Sequence, residues 1–307
     1  MKSWPSLASF GKILSLPGGE LFYYDSADNN STDKPAIILI HGLGDEADSW
    51  RHIFPLLAGA GYRVIAPDLP GFGRSLWKGK ISVRGHRNAV IRLMARSGAA
   101  GAGRPVVLAG SSLGAGIAEM AACKRPNLVK ALILIDGCFP FEYKLDKGFF
   151  LQALLALPFV GKKWYRTFRL NHEAAWRSLY PYYADLNGMK TEDKDFLRER
   201  VIARVESSNQ ERGYFATLRS MNNLFAFGRQ NSARMIKAWP GKIAVIWGEQ
   251  DRVVPVKKNA PFRSLRPDAD FALIAGAGHL PHQEKPAETA AEMLRFLQKL
   301  STSSHSR

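Results

Sequence analysis

Pro105-Val-Val-Leu-Ala-Gly-Ser-Ser-Leu-Gly-Ala-Gly116 decides how this 307-residue chain is read. Pro105–Ala109 is a short apolar run of strand type. Gly110-Ser111-Ser112-Leu113-Gly114 is a Gly-x-Ser-x-Gly turn, and Leu113–Ala122 is a small-residue-rich helical pattern. A strand, a sharp turn through a serine and a helix push the Ser112 hydroxyl out of the turn. The helix N-terminus beneath it favours developing negative charge. Only glycine at both flanks leaves room for the neighbouring elements to pass.

Outward from this unit, apolar runs recur at Ala36–Ile40, Tyr62–Ala66, Ala131–Ile135, Ile243–Trp247 and Phe271–Ala275. They are rich in Val, Ile and Leu without strict alternation, as strands buried on both faces are. Helical patterns separate them at Ser49–Ala60, Ser82–Ser97 and Leu113–Lys124, and a last one runs from Pro286 to about Leu300. The alternation predicts an α/β fold with a mostly parallel central sheet and helices on both faces. Lys12–Leu16 and Glu20–Tyr24, joined through Pro17-Gly18-Gly19, predict an edge hairpin.

The rhythm breaks over residues 139–238, which hold no strand-type run. Aromatics are dense there, at Phe149, Phe150, Phe159, Trp164, Tyr165, Phe168 and Tyr180-Pro181-Tyr182-Tyr183, among leucines such as Leu151, Leu154 and Leu155. We read this stretch as a helical insertion over one end of the sheet, dividing the chain into a core of 1–138 and 239–307 and an inserted 139–238. Most of the aromatics are expected to form the insertion's own core, and a minority to face a pocket between insertion and sheet. The tail Ser301–Arg307 is polar and expected to fray.

A serine hydroxyl needs a base within hydrogen-bond reach, and that base needs a carboxylate to orient it. His279 follows the run Phe271–Ala275, and Asp251 follows Ile243–Trp247. In a parallel sheet every strand ends on the same edge, where open α/β folds hold their ligands. Ser112, Asp251 and His279 are therefore expected to meet there, in the chain order Ser, Asp, His. His41-Gly42-Leu43-Gly44 follows the run Ala36–Ile40, and its glycines let the N–H of Leu43 turn inward. With the N–H of Leu113 it would form an oxyanion hole. Asp136, after Ala131–Ile135, is the alternative acid.

Composition narrows the rest. Lys and Arg total 43 against 27 Asp and Glu, a net charge of +16, and the insertion holds seventeen against ten. The basic residues are spread without a tail or a binding motif, so we expect no nucleic-acid partner. Weak contact of the basic, aromatic insertion with an anionic membrane surface is a further expectation. No apolar run reaches the length of a membrane span. Cys123 and Cys138 are too few for a disulfide framework and read as buried thiols, which with the absence of a secretion signal points to a cytoplasmic protein. Gly-x-Gly pieces at Gly71, Gly101 and Gly276 complete no dinucleotide fingerprint, and no phosphate loop occurs, so no cofactor is expected. His279 and His282 lack a partner carboxylate motif, and no metal is expected.

The chain resembles the α/β-hydrolase superfamily in His41-Gly42-Leu43-Gly44, Pro67-Asp68-Leu69-Pro70-Gly71-Phe72-Gly73-Arg74-Ser75, Gly110–Gly114, Gly248-Glu249-Gln250-Asp251, and Gly278-His279-Leu280-Pro281 followed by Glu284-Lys285-Pro286. These motifs span nearly the whole chain. The resemblance makes Asp68–Ser75 a structural turn and 139–238 a cap. It implies a nucleophile at Ser112, where relatives acting on haloalkanes or epoxides carry aspartate. Relatives that cleave carbon–carbon bonds of ring-fission products, and iminopeptidase relatives, carry a proline-glycine pattern after the His-Gly that is absent here. Carboxylesterase or lipase-like hydrolysis of a small-molecule ester fits best. The alternatives are a thioesterase, a ring-fission-product hydrolase, and a non-catalytic ligand-binding member of the superfamily.

Overall fold

A computed structural model describes residues 2–27, 34–138, 154, 156–227 and 229–302. In chain order the elements before the insertion are β1 (Gly11–Leu16), β2 (Gly19–Asp25), β3 (Ile37–Ile40), α1 (Ile53–Gly59), β4 (Val64–Pro67), β5 (Leu76–Trp77), α2 (Val83–Arg96), β6 (Val106–Ser111), α3 (Leu113–Lys124) and β7 (Val129–Ile135). There follow α4 (Pro158–Leu170), α5 (His172–Arg177), α6 (Thr191–Glu206), α7 (Ser208–Phe227) and α8 (Arg229–Ala238). The chain then returns to the sheet with β8 (Lys242–Gly248), α9 (Ala260–Leu265), β9 (Asp270–Ile274), α10 (Pro281–Glu284) and α11 (Pro286–Thr302).

The strands form one nine-stranded sheet in the order β1-β2-β4-β3-β6-β7-β8-β9, with β5 paired to β2. From β4 to β9 the neighbours are parallel, while β1 and β2 form the antiparallel edge hairpin expected from Pro17-Gly18-Gly19. Successive residues of a strand point to opposite faces. Ile37 and Leu39 thus pack under Phe54, Met293 and Phe296, and Ile38 and Ile40 join Leu93, Ile117 and Ala121 on the other side. Both faces are covered, which is why these strands read as continuous apolar runs.

Local chemistry explains where the elements differ from expectation. The helix predicted over Ser49–Ala60 is a single turn at Ala47–Trp50 followed by α1. Pro55 has no N–H to offer the carbonyl of Arg51, so one continuous helix cannot form, whereas in the first turn of α1 the missing donor costs little. The strand expected from Tyr62 begins at Val64, because Gly61 (φ +82°) turns the chain and the Tyr62 N–H is spent on Leu57 O.

In the insertion, Tyr165, Phe215, Leu218, Val201 and Val205 form a small core of their own, flanked by Trp164 and Phe168. Leu154 and Phe159 do not join it; Phe159 is 90% exposed. Phe149, Phe150, Leu151 and Leu155 lie outside the described residues, as does the expected start of the insertion at 139. The insertion is tied to the sheet by buried ion pairs. Arg200 on α6 meets Glu46, Arg204 meets Glu46 and Asp45, and Arg51 meets Asp193 at 2.7 Å. Of the expected frayed tail, Ser301 and Thr302 still belong to α11, and residues 303–307 lie outside the description.

Candidate active site

Ser112 caps α3 with φ +53° and ψ −116°, a left-handed backbone that a non-glycine residue holds only when its surroundings impose it. Its N–H donates to Ile135 O at 2.8 Å. A Cβ on Gly110 would overlap the backbone of Gly114, and one on Gly114 would overlap the carbonyl of Ile40. The two flanking glycines are therefore the space in which the turn exists. The serine is half-buried, at the C-terminal end of β6.

Asp251 follows β8 and His279 follows β9, and the two meet at 2.8 Å between Asp251 Oδ2 and His279 Nδ1. Both side chains are almost wholly buried. The second oxygen of Asp251 accepts the N–H groups of Val253 (2.8 Å) and Val254 (2.9 Å), so the carboxylate is held from both ends. His279 is fixed through its backbone as well: its N–H donates to Tyr182 O at 2.8 Å, and the Tyr182 ring lies 5.8 Å from the imidazole. Asp136 is not the partner of His279, but it lies beside the pair. One oxygen each of Asp136 and Asp251 and one ring nitrogen of His279 lie within 4.8 Å of one another. Burial, then the charge of Asp251, pushes the Asp136 carboxyl well above the usual carboxylate range. Three such groups could in principle take a cation. The N–H donors aimed at both carboxyls instead suit a hydrogen-bonded relay.

Leu43 lies in a turn closed by Asp45 N–H donating to Gly42 O at 3.4 Å, with Gly44 at φ +78°. His41 anchors this turn. Leu69 N–H donates to its Nε2 at 2.9 Å, so Nδ1 carries the proton and donates to Gly42 O at 2.8 Å. Burial pushes the His41 pKa down and keeps the ring neutral. Leu113 is the first residue of α3, where a backbone N–H has no intrahelical acceptor. The Asp68–Ser75 turn is a structural knot, in which Asp68 accepts from Ala47 N–H (2.6 Å), Arg74 N–H (2.7 Å) and the Arg74 guanidinium.

Glu284 carries a role that its sequence motif did not disclose. Its carboxylate accepts Gly278 N–H at 2.8 Å and Ala184 N–H at 2.6 Å, bracing the histidine loop against the loop before α6. The nearby His282 is no metal partner of His279. It is buried, with Nε2 against Ser49 Oγ at 2.9 Å and its ring under Trp50. Cys123 and Cys138 are free; burial pushes the Cys123 thiol up to about 12 and Cys138 well above the ordinary thiol range, so neither is a thiolate nucleophile.

Residues 37–292 match the profile described as the alpha/beta hydrolase family. The chain belongs to that family. Among curated proteins this family member is 24% identical over 287 residues to Lipase 3 of Moraxella sp. (strain TA144), covering 93% of this chain and 84% of the relative. It is 25% identical over 285 residues to Lipase 1 of Psychrobacter immobilis, with 93% and 83% covered. Among solved structures, Cfl2 from Burkholderia cenocepacia superposes with a TM-score of 0.78 at 22% identity, covering 96% of this chain and 98% of that one, which establishes likeness of fold. No helix among the described residues is long and apolar enough to cross a membrane.

Proposed function

We propose that this alpha/beta hydrolase is a serine carboxylic-ester hydrolase acting through Ser112, His279 and Asp251. The observation that carries the reading is the 2.8 Å contact of His279 with Asp251 at the sheet edge where the left-handed turn at Ser112 ends β6. Ser112 Oγ bonds to the ester carbonyl carbon while His279 Nε2 takes its proton. Asp251 holds the imidazole with its proton on Nδ1. The N–H groups of Leu43 and Leu113 receive the oxyanion. The C–O bond to the alcohol then breaks, and His279 returns the proton to the leaving oxygen. Water adds to the acyl-enzyme with His279 again as base, releasing the acid and restoring Ser112. The lipase names of two relatives that span most of this chain support ester chemistry over thioester or carbon–carbon cleavage. Within the same reading, residues 139–238 act as the cap over a core of 1–138 and 239–307.

The test is turnover of a p-nitrophenyl ester. Ser112→Ala is expected to lose on the order of 10⁶ in kcat, and a fluorophosphonate probe should label the wild type at Ser112 only. Unchanged turnover in the variant overturns the assignment. An unlabelled wild type favours the ligand-binding alternative. A panel of esters of rising acyl length, with one thioester and one ring-fission product, separates the substrate classes.

One observation favours contact with an anionic membrane. Phe159, Lys163, Arg166 and Leu170 share a face of α4 at spacings of 4, 3 and 4 residues, opposite the inward Trp164, Tyr165 and Phe168. Phe159 is 90% and Leu170 77% exposed, and no acidic residue occurs between 154 and 170. Apolar side chains flanking exposed cations fit an anionic lipid surface. Flotation with phosphatidylglycerol vesicles, absent with phosphatidylcholine and weakened by salt and by Phe159→Asp, is expected. Equal flotation of wild type and variant would refute the contact.

A further inference from the structure

We propose that Asp136 is held as a neutral carboxylic acid that donates its proton to Asp251, so that the acid member of the triad is a carboxyl pair carrying one charge. The inference rests on the triad reading above. Asp136 stands where β7 ends, between the strand that carries Ser112 and the strand that leads to Asp251. Its backbone is left-handed at φ +47°, shared among non-glycine residues described here only with Ser112. Such strain persists where the surroundings over-determine it, and it gathers at functional sites. Its N–H continues the ladder to Ile246 O at 3.0 Å. The next residue, Gly137, lies so close to Ser112 that a Cβ there would overlap the serine backbone. The turn at Asp136 and the turn at the nucleophile are thus packed as one piece.

Hydrogen-bond donors are unequally shared between the two carboxyls. Asp136 Oδ1 accepts one hydrogen bond, from Gly248 N–H at 2.8 Å. Its Oδ2 is buried and finds no donor. Asp251 accepts three: Val253 N–H, Val254 N–H and His279 Nδ1. Two carboxylates this close and this dry cannot both ionise, and hydrogen bonds to a carboxylate favour its charged form. Asp251, with three donors against one, therefore keeps the charge and Asp136 keeps the proton. A hydroxyl at Oδ2 facing Asp251 also removes an otherwise orphaned buried oxygen. The titratable groups facing Asp136 are Asp251, His279, Glu284 and the Cys138 thiol. None of these carries positive charge until His279 is protonated, so none stabilises an anion at Asp136 in the resting enzyme.

Asp136 is thereby a positioning residue. Its hydroxyl gives Asp251 a fourth donor, fixes the carboxylate that orients His279, and leaves a single negative charge to face the imidazolium. Asparagine can reproduce this arrangement, with its amide oxygen on Gly248 N–H and its NH₂ on Asp251; alanine cannot. Asp136→Ala is expected to lower kcat on the order of 10–100-fold with little change in KM, through loosened orientation. Asp136→Asn is expected to restore most of that loss. The acid limb of its kcat/KM profile should coincide with that of the wild type, because neither side chain carries charge. The infrared spectrum of the wild type at neutral pH should hold a protonated-carboxyl stretch that Asp136→Asn removes and Ser112→Ala keeps. An acid limb moved to lower pH in Asp136→Asn, a kcat as low as that of Asp136→Ala, or no such band overturns the proposal. The band and the asparagine variant decide the matter even where Asp136→Ala does not fold. Fluorophosphonate labelling of the wild type keeps the two readings apart: no label removes the triad, while the band reports the carboxyl pair alone.

Discussion

Asp251 offers the sharpest residue-scale test of the relay, because its two oxygens are committed to different tasks. Oδ1 takes two backbone N–H groups and Oδ2 takes His279 Nδ1. Asp251→Asn keeps the shape but presents an NH₂ or a neutral oxygen to Nδ1, favouring the wrong imidazole tautomer. We expect kcat on a p-nitrophenyl ester to fall by about 10⁴ with a smaller change in KM. Retention of kcat within tenfold would transfer the acid role to Asp136. The meeting of Asp251 with His279, and the place of Ser112 at the same sheet edge, were legible in the sequence, because strand-end loops carry all three and every parallel strand ends on one edge. What stayed hidden was the neighbour relation of Asp136 and Asp251. It depends on β7 and β8 being adjacent, and on a left-handed turn at a non-glycine residue that no residue type announces.

At the scale of elements, α6 holds the insertion to the turn that follows β3. Arg200 and Arg204 reach from one face of α6 to the wholly buried Glu46, and Arg204 reaches Asp45 at 2.6 Å. These arginines hold the Glu46 carboxyl well below the usual carboxylate range despite its burial. Removing one member of a buried pair leaves the other charge uncompensated. Glu46→Ala is expected to cost about 3–5 kcal/mol in denaturant unfolding. On the proposed reading, in which the Leu43 N–H receives the oxyanion, it should also lower kcat, since Glu46 lies only three residues beyond Leu43 in the same turn. A loss below about 1 kcal/mol would mean that water reaches these groups. The strands were readable as elements because burial on both faces demands continuous apolar runs. The helices of the insertion were readable only as a region, and α9 and the two-residue β5 were missed. The ion pairs link residues more than 150 positions apart, and periodicity carries no information about such partners.

For the molecule as a whole, the buried titratable groups set the response to acid. His86 and His282 are buried and held neutral, each with its pKa pushed down to about 3, and burial pushes His41 down as well. In the unfolded chain all three take up a proton below about 6.5. The unfolded state then binds more protons, and stability falls as pH falls. Asp48, Asp136 and Glu284 act oppositely: their folded pKa is raised by burial, so the folded state binds the extra proton and gains as pH falls toward about 4. The three histidines and the three carboxyls thus oppose one another between about pH 6.5 and 5, and single variants in either set expose the balance. Asp25, Asp193 and Glu46, all with lowered folded pKa, add their loss only below about pH 4. Asp136→Asn removes one opposing group and should make stability fall more steeply between about pH 6.5 and 5, by up to about 1.4 kcal/mol per pH unit. His282→Gln removes one of the driving groups and should shift the slope by a similar amount in the opposite sense. Urea unfolding at both pH values reads these slopes directly. An Asp136→Asn slope equal to that of the wild type would mean that Asp136 releases its proton below pH 5, against a carboxyl kept neutral behind Asp251.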